Sequence, residues 1–181
     1  MSVIENFSKD VRMQDGFCTY CRTCRQKDRK QASWRYAAMN LRRKRQKQGL
    51  CQLCCQPAVS GIVMCIYHAI YRILYKQAKT RKQVNWMDMP IQDRKCMLEQ
   101  LTQMAQDTSV CPYTQQPLIF GQNMHLDHKT PVSRDITQIY TLDNLQWVSA
   151  EYNRHKHDKT DAEFLEFCKL IVTNAGYTIT G

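Results

Sequence analysis

The alternation of apolar and polar positions divides this chain into stretches of different grammar. Residues 1–16 hold no sustained period and read as a loosely held lead-in. Residues 25–48 run without Pro or Gly, and Trp34, Ala37, Ala38 and Leu41 recur at helical spacing. That pattern predicts a helix with a narrow apolar seam, closed by Gly49. Residues 51–68 carry Pro57 and Gly61 where tight turns need them, and a second helix is predicted from Cys65 to about Lys82. Residues 83–110 have the period of a helical connector, with Met97, Leu98, Leu101 and Met104 on one face. From Cys111 the pattern shortens to strand-like segments at 118–120, 124–128 and 144–149, then a helix near 150–158. Thr160 and Glu163 match the Ser/Thr-x-x-Glu capping box of a last helix, whose Phe164, Leu165, Cys168 and 170–172 are predicted to face a core. There is no repeat at a solenoid period. The fold class expected is α+β, divided into a largely helical region 1–82, the connector 83–110 and a mixed region 111–181.

Charge adds a partner to this picture. The formal net charge is +10, and it is unevenly spread: Arg22 to Lys82 holds sixteen Lys or Arg against one acid, Asp28. So long a stretch almost without acids gives up the usual interspersed ion pairs and points to a polyanion. Arg35, Arg42, Arg43, Lys44 and Arg45 on the first predicted helix are the candidate phosphate contacts. The most apolar run, 61–75, is too short to span a bilayer and carries His68 and Arg72. The N-terminus has no cationic start followed by an apolar segment. A soluble intracellular protein with no membrane association is expected.

Ten cysteines in such a chain suggest metal rather than disulfides, and seven of them lie between residues 18 and 65. Cys51, Cys54, Cys65 and His68 form C-x2-C-x10-C-x2-H, in which each pair chelates from one turn and two pairs complete a zinc tetrahedron. Cys55 is an alternative to Cys54 if the register differs by one. Cys18 and Cys21, with Cys24 beside them, either bind a second zinc with a ligand from elsewhere, such as Cys111 or Cys55, or pair with Cys51 and Cys54. Every version makes zinc a folding ligand, because four protein ligands leave no open position.

The second half gathers a different chemistry. Four of the five histidines lie in HLDHKTP (125–131) and EYNRHKHD (151–158), each within two residues of an Asp or Asn. Phosphodiester hydrolysis needs a base, a cation and a scaffold to align them. His128 is the candidate base, being neutral for most of its time in a cell. Asp127 and Asn153 offer the hard oxygens that Mg²⁺ or Mn²⁺ takes, and two protein ligands suffice for an ion that keeps its waters. In a regular strand His125 and Asp127 share one face and His128 lies on the other, so the strand must end or distort at this point. Pro131 is where it would end. The side-chain amide of Asn144 is placed to tie the intervening loop to the first strand. His155 and His157 are alternatives to Asn153 if the helix starts later, and His125 reads as a surface or packing histidine.

Asp127-His128, Asn144 in DNLQWV, Asn153 and Lys156 resemble the HNH nuclease family over about residues 111–170. The resemblance implies a small ββα-metal nuclease core in 111–181 with flanking helices, and a zinc-stabilised basic module before it. It implies His128 as general base, Asp127 and Asn153 on one divalent ion, Asn144 ordering the loop, and ends bearing a 3′-hydroxyl and a 5′-phosphate. Many members frame the motif with two C-x2-C pairs, and here Cys111 alone remains, so Trp147, Phe164 and Phe167 are expected to anchor the core by packing. The family's Gly-rich loop is replaced by DITQIYTLD. The function expected is a metal-dependent endonuclease on double-stranded DNA, of homing type, with a restriction or defence enzyme as the nearest alternative. A zinc-containing nucleic-acid adaptor with a vestigial motif, or a nuclease of structured RNA, are the competing classes. One active site serves one strand, so a double-strand break requires a dimer or sequential nicks.

Overall fold

The basic stretch free of Pro and Gly forms one long helix, α1 (Arg22–Lys47), preceded by an antiparallel pair, β1 (Phe7–Lys9) and β2 (Phe17–Cys21). The computed structural model describes residues 7–9, 17–80, 84 and 86–179, with side chains from Thr23 onward apart from positions 25, 78 and 80. Lys44, Arg45 and Lys47 sit in the last turn of α1, where cations complement the helix dipole. Gly49 stops the helix at φ 69°, and the N–H of Leu50 reaches back to the carbonyl of Arg45 at 2.9 Å. The seam of Trp34, Ala37, Ala38 and Leu41 is not buried by the other described residues: Trp34 is 79% exposed. Among the described side chains of α1, only Arg45 is partly buried.

The core begins with α2 (Ile66–Thr80), which buries Ala69, Ile70 and Leu74 at the i, i+1, i+5 positions of one face. Trp86, in a 3₁₀ turn, packs beside it, and α3 (Ile91–Asp107) adds Met97, Leu98, Leu101 and Ala105. The expected fourth member of that face, Met104, is half-buried against the same cluster. This apolar mass continues without a break into β3 (Met124–His128), β4 (Leu145–Ser149) and α4 (Ala150–Lys156). β3 and β4 are antiparallel, with Leu126 opposite Trp147 and Asp127 opposite Gln146. Trp147 is the centre of the junction, and its indole N–H donates to the carbonyl of Leu101 at 3.3 Å.

Two expectations are corrected here. Residues 118–120 form no strand; they run into a turn at 120–123, with Leu118 buried. The last helix, α5 (Asp161–Asn174), does open with the full Thr160–Glu163 capping box, but it buries no residue completely. Phe164 packs edge-on against Tyr152, whereas Leu165, Phe167, Leu170, Ile171 and Val172 are exposed. Phe167 is therefore no anchor of the core. Most of its apolar period is not covered by any other described residue.

One local motif occurs twice, sixty residues apart. Leu50 bridges Pro57, and Val110 bridges Pro117. The N–H of Cys51 donates to Gln56 at 2.8 Å, as that of Cys111 does to Gln116. Ala58 donates to Gly49 and Ile62 to Val59; Leu118 donates to Ser109 and Gln122 to Ile119. Gly61 and Gly121 turn both segments at φ 82° and 84°. The two turns meet, since a Cβ on Gly121 would stand 3.3 Å from Val59 Cγ1. The copies diverge after Met64 and Met124: the first enters α2 and the second enters β3. Only the first has several thiols; the second has Cys111 alone. Burial pushes the Cys111 thiol up, but the Thr114 hydroxyl and backbone N–H groups of Ser149, Thr114 and Tyr113 outweigh it and bring the group down to about 7. The second copy thus satisfies its remaining sulfur by hydrogen bonds.

Candidate zinc cluster and active site

The first turn motif and the start of α2 bring four ligands together. The ligand atoms of Cys51, Cys54, Cys65 and His68 all lie within 4.8 Å of one another. With Zn–S near ~2.3 Å and Zn–N near ~2.0 Å, a tetrahedron has S···S edges of about 3.8 Å and S···N edges of about 3.5 Å. Cys54 and Cys65 have their sulfurs 3.7 Å apart, and Cys51 Sγ lies 3.5 Å from His68 Nδ1. The cluster can hold one zinc ion, with His68 ligating through Nδ1. The backbone N–H of Leu53 points at Cys51 Sγ at 3.5 Å, as expected of a chelating turn that must stabilise a thiolate.

Cys55 lies outside the cluster, exposed, with Arg45 Nη2 4.0 Å from its sulfur. It does not replace Cys54, since among the described residues Cys51 and Cys54 are grouped with Cys65 and His68. Cys111 is buried in the second turn motif, and Cys24 is exposed on α1. The side chains of Cys18 and Cys21 lie outside the described residues. Arg45, one of the five expected phosphate contacts, spends part of its guanidinium on the cluster's turn, donating to the carbonyl of Gln52 at 3.2 Å. Arg35, Arg42, Arg43 and Lys44 are exposed.

The second site is built where β3 stops. Lys129 and Thr130 bend away, and Asn144 closes the neck of the loop they open. Its side-chain oxygen accepts from the N–H of Thr130 at 2.7 Å, and its amide donates to the carbonyls of Thr130 and Gln138 at 3.1 and 3.3 Å. Inside this loop, in place of a glycine-rich path, two 3₁₀ turns run from Ile136 to Tyr140 and from Leu142 to Asn144. Asp135 caps the first turn by accepting from the N–H of Thr137 at 3.0 Å. Ile139 is buried, and its carbonyl lies 3.0 Å from His128 Nε2. A carbonyl only accepts, so Nε2 carries a proton, and in the neutral ring the lone pair is then on Nδ1.

His125, Asp127 and His128 from β3, Asn153 and Arg154 from α4, and His157 just past its end line one pocket of about 720 Å³. Ser149 caps α4, accepting from the N–H of Tyr152 at 3.1 Å, so the helix begins early enough to turn Asn153 toward the strand end. Asn153 makes no side-chain hydrogen bond among the described residues, and neither does Asp127 Oδ1. Two unengaged oxygen donors at one pocket suit a hard divalent cation. Asn144 stands behind the pocket rather than on it. His155 is exposed and off the pocket, while His157 lines it from a left-handed backbone at φ 55°, with Nδ1 3.2 Å from the Asp158 carboxylate.

Asp127 is held in place from below. Its Oδ2 accepts from Lys156 Nζ at 2.8 Å and from Gln146 Nε2 at 3.0 Å. Lys156 is completely buried, also donates to the His128 carbonyl, and lies 3.4 Å from Asp161. Asp161 accepts from the hydroxyls of Tyr113 at 2.6 Å and Tyr152 at 3.1 Å. Burial, with Asp161 adding to it, pushes the Tyr113 phenol up to about 12 and that of Tyr152 higher still, so both stay donors. Sequence reasoning missed Gln146, Asp161, Tyr113 and Arg154. A signal existed for Gln146, a polar residue inside the otherwise apolar LQWV. Asp161 looked like an ordinary first-turn helix acid. No protein-family model and no curated protein matches the chain.

Proposed function

We propose that this chain is a metal-dependent DNA endonuclease of the HNH type. The observation that carries the reading is the convergence of His128, Asp127 and Asn153 on one pocket, beside the cation of Arg154. In this reading Ile139 fixes the His128 tautomer, and Nδ1 takes a proton from the water that attacks phosphorus while the P–O3′ bond breaks. Asp127 Oδ1 and the Asn153 carboxamide would hold Mg²⁺ or Mn²⁺, which when bound offsets negative charge on the phosphate and the departing oxygen. Lys156, 2.8 Å from its Oδ2, keeps Asp127 aimed. Arg154, which makes no ion pair among the described residues, meets a non-bridging phosphate oxygen. Asn144 acts through the loop, as a positioning residue.

The zinc cluster supports a binding module whose α1 lays exposed cations along the duplex, and a homing-type enzyme is the subclass we favour. The test is cleavage of plasmid and end-mapped duplex by the zinc-loaded protein with Mg²⁺, Mn²⁺ or neither. His128→Ala is expected to lose cleavage by at least ~10²-fold while duplex affinity stays within about twofold. Retained cleavage in that variant removes His128 from the chemistry. Tight binding with no turnover under any divalent ion would make the protein an adaptor.

A further inference from the structure

The zinc-bearing half carries an aromatic surface that the nuclease reading does not use. Tyr67, Tyr71 and Tyr75 recur every four residues on α2 and so form one stripe. The rings of Tyr71 and Tyr75 are nearly parallel, 13° apart in plane with centroids 6.2 Å apart. Two grooves flank the stripe. One, of about 240 Å³, lies toward the end of α1, and the other, of about 480 Å³, lies toward the start of α3. Both are lined by Leu53, His68 and Tyr71, so they adjoin as one trough beside the zinc ligand His68.

The charge in this trough has one sign. Arg42, Arg72, Arg94 and Lys95 line it, and no Asp or Glu does. None of the four makes an ion pair among the described residues. Arg94 rests one nitrogen on the sulfur of Met87, a weak acceptor that leaves its charge unneutralised. Glu99, which adds to burial in pushing the Tyr67 phenol up, lies off the lining.

We propose that this trough binds an unpaired stretch of DNA strand, with bases stacking on the tyrosines and phosphates following the four cations. Stacking needs a base whose face is bare, which a duplex does not offer, and every base has such a face. A peptide or a second copy of the chain would explain the apolar floor but not four unpaired cations without an acid. The choice of DNA over RNA rests on the proposed nuclease reading; the binding itself does not. Joined to that reading, the substrate class becomes a duplex with an unpaired strand, such as a flap or overhang.

The experiment uses the zinc-loaded 181-residue chain carrying His128→Ala, without added Mg²⁺, so that binding is measured whether or not the wild type cuts. Anisotropy of labelled oligothymidylate, oligouridylate and blunt duplex is followed across a salt series. Tyr71→Leu with Tyr75→Leu should weaken oligothymidylate at least ~10-fold, with its salt slope unchanged and duplex affinity within about twofold. Tyr71→Phe with Tyr75→Phe keeps the π faces and should bind like the parent. Arg42→Gln with Arg72→Gln should lower the single-strand salt slope by about 0.7 for each phosphate no longer neutralised. Unchanged oligothymidylate affinity in the leucine variant, at parental zinc content and helicity, overturns the proposal, as does an equal loss for duplex. Tighter binding of oligouridylate than of oligothymidylate overturns the choice of DNA.

Discussion

Lys156 has no exposed surface and faces two carboxylates, Asp127 and Asp161. A buried ammonium is tolerable only with such partners, and removing it leaves both acids desolvated and unbalanced. Lys156→Met is therefore expected to cost about 3–5 kcal/mol, read as a lowered urea midpoint of tryptophan fluorescence. A midpoint equal to the wild type would mean the ammonium is not compensating buried charge. The same residue shows the limit of reading side chains one at a time. In the sequence, Lys156 stood out only through its place after Asn153, because a lysine is ordinarily solvated. Its burial follows from the antiparallel register that sets Asp127 opposite Gln146, and from α4 crossing the end of β3.

At the scale of elements, helices and strands whose period matched their packing were readable. β3 spans the expected 124–128, and α5 has its expected cap. The metal-binding turn was readable too, because chelation from two short pairs is a local property that spacing alone constrains. Cys54→Ser is expected to reduce bound zinc by one equivalent relative to the parent and to lower the helical circular dichroism signal, while Cys55→Ser leaves both unchanged. Equal zinc content in the two variants would put Cys54 outside the ligand set. What failed was the inference from an apolar period to burial. Residues 118–120 form no strand and lead into a turn, and the outer face of α5 stays in water. An apolar period says which residues share a face; whether another element meets that face is a separate matter.

For the whole molecule, the distribution of charge is the dominant feature. Cations crowd α1 and α2, while the second half carries the acids that build the pocket and the network below it. Duplex binding should weaken steeply with salt through released counterions, and replacing Arg35, Arg43 and Lys44 by Gln should reduce that slope by up to about 2.7. A slope unaltered by the triple replacement would place the duplex elsewhere. No helix among the described residues is long and apolar enough to cross a membrane.

The amino-acid sequence by itself determined the α+β class, the order of the main elements, the Cys51, Cys54, Cys65 and His68 set, and the polycationic first half. All of these depend on residues close together in the chain or on plain sums of charge. Only the tertiary structure decided that His128 shares a pocket with Asn153, that Ile139 selects its tautomer, that Lys156 lies buried between Asp127 and Asp161, and that one turn motif is built twice and stacked on itself. Those relations depend on strand register, loop closure and helix crossing, which many compatible sequences can settle differently and which no local spacing encodes.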